Sequence, residues 1–362
     1  MKPHRPTVAD LARFDEIIDV RSPAEFAEDH IPGAINCPVL DNAQRAEVGA
    51  LYKQVSPFAA KKLGAALVAE NIARHLRQRF HDRPRHWKPL IYCWRGGDRS
   101  GAMATIFRAI GWPAGQLDGG YKAWRAHVVA RLQELPATLH FRVIAGPTGC
   151  AKTRILHAIA VLGEQALDLE ALARHKGSVL GVLPDEPQPA QKGFETALLL
   201  ALQALNPARP VYVEAESRKI GNLHVPDALI ERIRAGVCLN IEAPTAARVD
   251  FLLRDYDYLP SRPELLADRL AALRALQSRE TIERWQGFVA AGHWPQLVGE
   301  LLELHYDPLY RRSQNHHYAP AQGRSFATDD LSPAGIVRLA ATIVHSRTAQ
   351  IPCRMAGFGE ST

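Results

Sequence analysis

The run Tyr92-Cys93-Trp94-Arg95-Gly96-Gly97-Asp98-Arg99-Ser100 sets one cysteine at the end of an apolar strand, Leu90-Ile91-Tyr92. A glycine-bearing loop closed by an arginine follows. Consecutive backbone N–H groups of such a loop, and the N-terminus of the helix after it, point at the sulfur and stabilise its thiolate. Arg95 and Arg99 add positive charge and can hold an incoming anion through bidentate hydrogen bonds. A lone cysteine is ordinarily a small buried hydrophobe. Packed among Gly96, Gly97, two arginines and Ser100, Cys93 is instead a candidate nucleophile in an anion pocket.

A second anion loop lies at Gly146-Pro147-Thr148-Gly149-Cys150-Ala151-Lys152-Thr153. It follows a strand and opens a helix, as the pattern G-x-x-x-x-G-K-[ST] does, so backbone N–H groups of Gly146, Thr148 and Gly149 can cradle a diphosphate while Lys152 neutralises it and Thr153 assists. Ala151 stands where the last glycine belongs, and its methyl restricts the backbone there. Glu214 and Glu216, just past the strand Val211–Val213, have two readings: a carboxylate for a metal or base near the diphosphate, or ion pairs with Arg218 or Lys219. Asp168 and Glu170 carry the same ambiguity. Phosphate binding follows from this loop; ATP hydrolysis does not, and Mg2+ is an expected companion rather than a tightly bound cofactor.

The elements that must position these loops alternate between strand and helix. Strands are expected at Glu16–Val20, Leu90–Tyr92, Gly115–Asp118, Phe141–Ala145, Ala166–Leu169, Val211–Val213 and Val237–Ile241, and helices at Pro23–Asp29, Ala59–Phe80, Ser100–Ile110, Tyr121–Leu132 and Lys152–Leu162. Such alternation predicts α/β units with mainly parallel sheets. From Pro244 the pattern is helical, with little strand signal. A chain of 362 residues suits two domains. We divide it at 1–134 and 137–330, with 331–362 as a C-terminal helix and a tail that loses periodicity after Gln350.

Composition narrows the function classes. Five cysteines without CxxC spacing argue against a disulfide framework or a zinc site, and the N-terminus has no long apolar run for a signal peptide or membrane span. A reducing cytoplasm is the expected location. Residues 1–135 hold 20 Lys+Arg against 14 Asp+Glu, whereas 136–362 hold 24 against 24, so the excess charge sits in the half with Cys93. It is densest at Arg74, Arg77, Arg79, Arg83, Arg85 and Lys88, which form either a solvated helix face and loop or a surface for a polyanion such as RNA.

Further segments carry a family resemblance. Asp19-Val20-Arg21-Ser22-Pro23-Ala24-Glu25-Phe26, Asp29-His30-Ile31-Pro32-Gly33-Ala34-Ile35-Asn36 and Leu117-Asp118-Gly119-Gly120-Tyr121-Lys122-Ala123-Trp124 look like rhodanese-domain motifs. Joined to a P-loop domain, and with Cys93-Trp94-Arg95-Gly96-Gly97, His175-Lys176-Gly177-Ser178 and Glu214-Ala215-Glu216-Ser217, the chain resembles the bacterial tRNA 2-selenouridine synthase family over roughly residues 15 to 310. The implied fold is an N-terminal rhodanese-like domain plus a P-loop NTPase-like α/β domain with a helical C-terminal part. The implied activity replaces the sulfur of wobble 2-thiouridine with selenium from selenophosphate, and geranylates that sulfur with geranyl diphosphate. The resemblance makes Cys93 the nucleophile or chalcogen carrier, places the diphosphate in the Gly146–Thr153 loop, and makes tRNA the partner, with Trp94 a candidate to stack on a splayed base.

Loop size leaves a competitor. Five residues separate Cys93 from Arg99, one more than in ordinary rhodaneses, a length shared with dual-specificity phosphatases of related fold. A cysteine phosphatase or arsenate reductase fused to an NTP-binding domain is therefore the first alternative, although such phosphatases usually carry histidine where this chain has Tyr92. An RNA-binding regulator with a nucleotide switch is the second.

Overall fold

The computed structural model describes residues 5–178, 181, 183, 185–258, 260, 263–317 and 323–346; the tail expected after Gln350 lies outside them. The chain forms two compact units, Met1–Arg131 with Pro189–Leu199, and Leu132–Gln188 with Leu200–Thr362.

In the first unit the strands are β1 (Glu16–Asp19), β2 (Ile35–Asn36), β3 (Pro89–Tyr92) and β4 (Gly115–Gln116), ordered β2-β1-β3-β4 and all parallel. The helices are α1 (Pro23–Glu28), α2 (Asn42–Gln54), α3 (Pro57–His75), α4 (Asp98–Ile110) and α5 (Gly120–Glu134). Local chemistry sets their ends. Ser56 accepts the Ala59 N–H at 3.0 Å and Pro57 takes the first position, so α3 starts before the expected Ala59 and passes into a π-helical turn, Leu76–Phe80. The Glu25 carboxylate accepts the Ser22 N–H at 3.1 Å to open α1. Phe80, Trp87, Phe107 and Trp112 pack ring to ring at 5.0–5.8 Å and anchor the basic loop to the core.

Beneath the C-terminal edge of this sheet lies Arg21, with a side chain 1% exposed. Its guanidinium takes Asp19 through two nitrogens (2.6–3.0 Å), donates to the Asp29 carbonyl at 2.7 Å, and lies 3.8 Å from the Tyr121 ring centroid. Tyr121 and Thr196 hydroxyls both donate to Asp29 Oδ2, at 2.7 and 3.1 Å, and Arg125 pairs with Glu195. These bonds bring residues 189–199 into the first unit, a departure from the contiguous 1–134 domain.

The second unit is built on β5 (Phe141–Ala145), β6 (Gln165–Leu167), β7 (Val211–Glu214), β10 (Val237–Glu242) and β11 (Arg324–Ala327), ordered β11-β10-β5-β7-β6 and all parallel; β8 (Lys219–Ile220) and β9 (Leu223–His224) make a separate antiparallel pair. Its helices are α6 (Lys152–Val161), α7 (Leu169–Ala173), the end of α8 (Gln191–Gln203), α9 (Asp227–Arg234), α10 (Thr245–Asp255), α11 (Pro263–Ala271), α12 (Arg279–Ala291), α13 (Trp294–Glu300), α14 (Asp307–His317) and α15 (Pro333–His345). β11 was not expected: it is a four-residue edge strand in which Phe326 alone is buried, too little for a period-2 signal. α15 is no separate piece either, because Ile336, Leu339, Ala340 and Ile343 join Ile144, Ile155 and Leu239 in the core. Leu266, Leu270, Ile282 and Trp285 form a second apolar cluster within the helical part.

Arg21→Met leaves Asp19 charged and buried without its partner, so the first unit should lose about 3–5 kcal/mol. Urea denaturation followed by tryptophan fluorescence checks this; a loss under about 1 kcal/mol would contradict the role assigned to the pair.

Candidate active site

Cys93 follows the last residue of β3 and its side chain is buried. Its Sγ accepts from the Gly97 N–H at 3.3 Å and faces the Ser100 hydroxyl at 3.2 Å. The loop's carbonyls are turned away and tied down. Gln116 Nε2 donates to Gly96 O, Gly97 O and Ser100 Oγ at 2.9–3.0 Å, Arg5 donates to Gly96 O at 3.0 Å, and the Tyr121 N–H donates to Cys93 O at 2.8 Å. Outward carbonyls leave the loop's interior to N–H donors, as an anion pocket requires. Two glycines make the fit: a Cβ on Gly96 (φ +65°) would stand 2.5 Å from Leu117 O, and one on Gly120 (φ +59°) 2.3 Å from Cys93 O. The thiols of Cys37 and Cys150 lack such a setting; burial pushes Cys37 up to about 12 and Cys150 upward as well.

The other residues expected at this loop divide. Arg95 is exposed beside the loop. Arg99, expected to clasp the anion freely, instead spends two nitrogens on Glu25 at 2.8 and 3.3 Å, so its charge is already partnered and its position fixed. Trp94 is half-buried against Tyr121 (5.3 Å between centroids), with the Lys192 ammonium 5.7 Å from its ring centroid. The six basic residues Arg74, Arg77, Arg79, Arg83, Arg85 and Lys88 are exposed. Lys88 precedes the first residue of β3 and Arg83 pairs with Glu16 at the start of β1 (2.9 Å). That end of the loop therefore lies at the opposite edge of the sheet, about 13 Å of strand away.

In the second unit the Gly146–Thr153 loop joins β5 to α6. Gly146 (φ +149°) and Gly149 (φ +87°) take conformations suited to glycine, and a Cβ on Gly149 would meet Leu252 at 3.0 Å. Ala151 adopts the left-handed region itself (φ 55°, ψ 28°) with its methyl buried, at a cost of about 1–2 kcal/mol. The departure from glycine thus keeps the loop's shape. Lys152 Nζ donates to Gly146 O at 3.0 Å across the loop. Arg248, with a side chain 5% exposed, donates to Thr148 O at 2.8 Å and takes Asp307 by two nitrogens at 2.6 and 3.0 Å. It ties the loop to α10 and α14. No sequence pattern signals that role.

Glu170, Glu214 and Glu216 converge, with ligand oxygens all within 4.8 Å of one another. Thr153 Oγ1 donates to Glu170 at 3.3 Å, and Gly177 (φ +65°) comes so close that a Cβ there would stand 2.5 Å from Glu170 Oε1. Arg218 lies 3.4 Å from Asp227, so it is drawn away from the ion-pair reading of the two later glutamates. Asp168 is not part of the cluster: its carboxylate caps α7 through the Ala171 N–H (2.7 Å) and meets His157 Nε2 at 2.5 Å. Burial first, then repulsion from neighbouring carboxylates, lifts the carboxyls of Glu170 to about 9 and Glu216 to about 7, and burial raises Glu214. Glu214 Oε1 is buried with no hydrogen-bond partner. An all-oxygen set with one orphaned carboxylate oxygen fits a hard divalent cation such as Mg2+.

The two sites define the class as a rhodanese-type thiol domain joined to a P-loop-like α/β domain. Residues 7–127 match the rhodanese-like domain and residues 139–262 match the tRNA 2-selenouridine synthase AAA domain. The chain is 38% identical over 244 residues to a tRNA 2-selenouridine synthase of Nitrosomonas europaea, covering 66% of this chain and 63% of that protein. It is 33% identical over 326 residues to that of Alcanivorax borkumensis (81% and 88%) and 35% over 338 residues to that of Chromohalobacter salexigens (85% and 90%). The chain belongs to the tRNA 2-selenouridine synthase family. Among the described residues, no helix is long and apolar enough to cross a membrane.

The raised carboxyls mean that folding takes up protons between the ordinary value of 4.5 and about 9. Their contribution to stability is present at acid pH and lost as pH rises through that window. A divalent cation replaces those protons, so millimolar Mg2+ should raise the Tm of the second unit more at pH 9 than at pH 5.5, and Glu214→Gln should blunt the gain. Differential scanning calorimetry checks this, and equal shifts at the two pH values would dismiss the cation site.

Proposed function

We propose that this chain replaces the sulfur of wobble 2-thiouridine in tRNA with selenium from selenophosphate, by way of an S-geranylated intermediate made from geranyl diphosphate. The observation that carries the reading is the Cys93 loop, in which a thiol faces the Gly97 N–H and the Ser100 hydroxyl inside a C-x5-R turn. Selenophosphate is a small anion with a large chalcogen atom. The five-residue span provides the room for it, and the Gly97 N–H and Ser100 hydroxyl the donors.

In the first half-reaction, the thiocarbonyl sulfur of the base attacks C1 of geranyl diphosphate, the C–O bond breaks and diphosphate leaves. The backbone donors of Gly146–Gly149 and the Lys152 ammonium stabilise the charge that develops on the leaving group. Glu170, Glu214 and Glu216 would hold a Mg2+ ion, which when bound neutralises phosphate charge. In the second, the selenium of selenophosphate adds at C2 of the base, the C2–S bond breaks and geranylthiol leaves, and water cleaves the Se–P bond to release phosphate. Cys93 sits against the selenium donor, its sulfur facing the Gly97 N–H and the Ser100 hydroxyl. The partly exposed Trp94 offers a ring on which a splayed base can stack. A reducing cytoplasm keeps Cys93 a free thiol.

Cys93→Ala should abolish selenation, by at least about a hundredfold, while leaving geranylation intact, and Lys152→Ala should abolish geranylation. Mass analysis of nucleosides from 2-thiouridine tRNA reacted with both donors reads both steps. An unchanged 2-thiouridine peak with the wild-type chain would refute the proposed activity, and loss of both steps in both variants would refute the division of labour.

A further inference from the structure

The P-loop cleft does not end at the diphosphate cradle. It shares Thr148, Ser178, Leu252, Tyr256 and Tyr306 with an adjoining cleft of about 80 Å³. The two halves differ in chemistry. The cradle presents Lys152, Lys176 and the three glutamates. The adjoining cleft is walled by α10, α13 and the π-helical turn Leu301–Tyr306, through Leu252, Leu253, Trp294, Leu297, Val298 and Leu301, and among the described residues no charged side chain lines it. Leu297 and Leu301 reach it from the buried side of the helical part, so its floor is fixed by packing.

A ligand that spans both halves has an anionic diphosphate head and an apolar tail. A nucleotide does not match, because its base and ribose need several convergent donors and acceptors, and this wall offers few. We propose that the cleft seats the hydrocarbon tail of a prenyl diphosphate whose head lies in the Gly146–Thr153 loop, and that its depth selects the tail length. This rests on the geranyl transfer proposed above and adds to it the residues that recognise the chain. Arg248 gives the two halves a common frame, since it holds Thr148 O from α10 and Asp307 beyond the π-helical turn.

Calorimetric titration of the full chain with Mg2+ present, using inorganic diphosphate, dimethylallyl, geranyl and farnesyl diphosphates and ADP, tests the assignment. Geranyl diphosphate should bind at least tenfold tighter than inorganic diphosphate and tighter than ADP. Val298→Trp and Leu253→Trp, at two half-buried wall positions, should erase that preference while inorganic diphosphate affinity stays within twofold. The milder Val298→Ala should move the preference toward farnesyl diphosphate. Equal binding of geranyl and inorganic diphosphates by the wild-type chain, tighter ADP binding, or an unaltered tail preference in all three variants would overturn the assignment. If the preference exists and the wall variants erase it, yet no tRNA is geranylated, the cleft assignment stands and the tRNA reaction falls.

Discussion

Strand direction is the constraint from which the rest of this structure follows. Both principal sheets are parallel throughout, so every strand in a sheet delivers its last residue to the same edge. Arg21, Cys93 and Gly119 arrive there in the first unit, and Gly146, Asp168 and Glu214 in the second. Helices such as α4 and α6 start at that edge, so their free N–H groups and dipole ends face the incoming ligand. The two sites are chemically unlike, one built around a thiol and the other around an ammonium and carboxylates. They nevertheless use the same architectural position.

Groups that face a ligand are few, and most of the precision comes from groups behind them. Gln116 holds two loop carbonyls and the Ser100 hydroxyl with a single amide nitrogen. Arg248 does the corresponding work for the P-loop, and Glu25 serves both the start of α1 and the fixing of Arg99. Each is a polar side chain satisfied by loop backbone or by a charged partner, so it fixes position and avoids an unpaired buried group.

The two loops were legible from sequence because their chemistry is local: a cysteine, glycines and an arginine within a few residues, or the Gly-Lys-Thr spacing after a strand. The strands beneath them were legible for the same reason, as apolar runs bounded by turns. What escaped depends on distant pairing. Arg248 looks like any helix arginine until Thr148 and Asp307 close on it, and Gly177 gains meaning only beside Glu170. Glu214 and Glu216 left two readings open that only the fold could separate, and Asp168 proved to be a helix cap. The basic run from Arg74 to Lys88 was correctly read as exposed. The placement of its Arg83 and Lys88 end at the far edge of the sheet was invisible, because charge density carries no direction.

Ala151 has a consequence for how tightly the P-loop holds its shape. Glycine at that position would be free to leave the left-handed conformation for its mirror-image neighbours, and the loop could relax when empty. Alanine has few alternatives once Cys150 and Ile155 pack around it in the core. The loop therefore has less conformational freedom to surrender on binding the diphosphate proposed for it, and less of the binding free energy is lost to ordering it. A residue that weakens the fold slightly thus makes the receptor stiffer before its ligand comes.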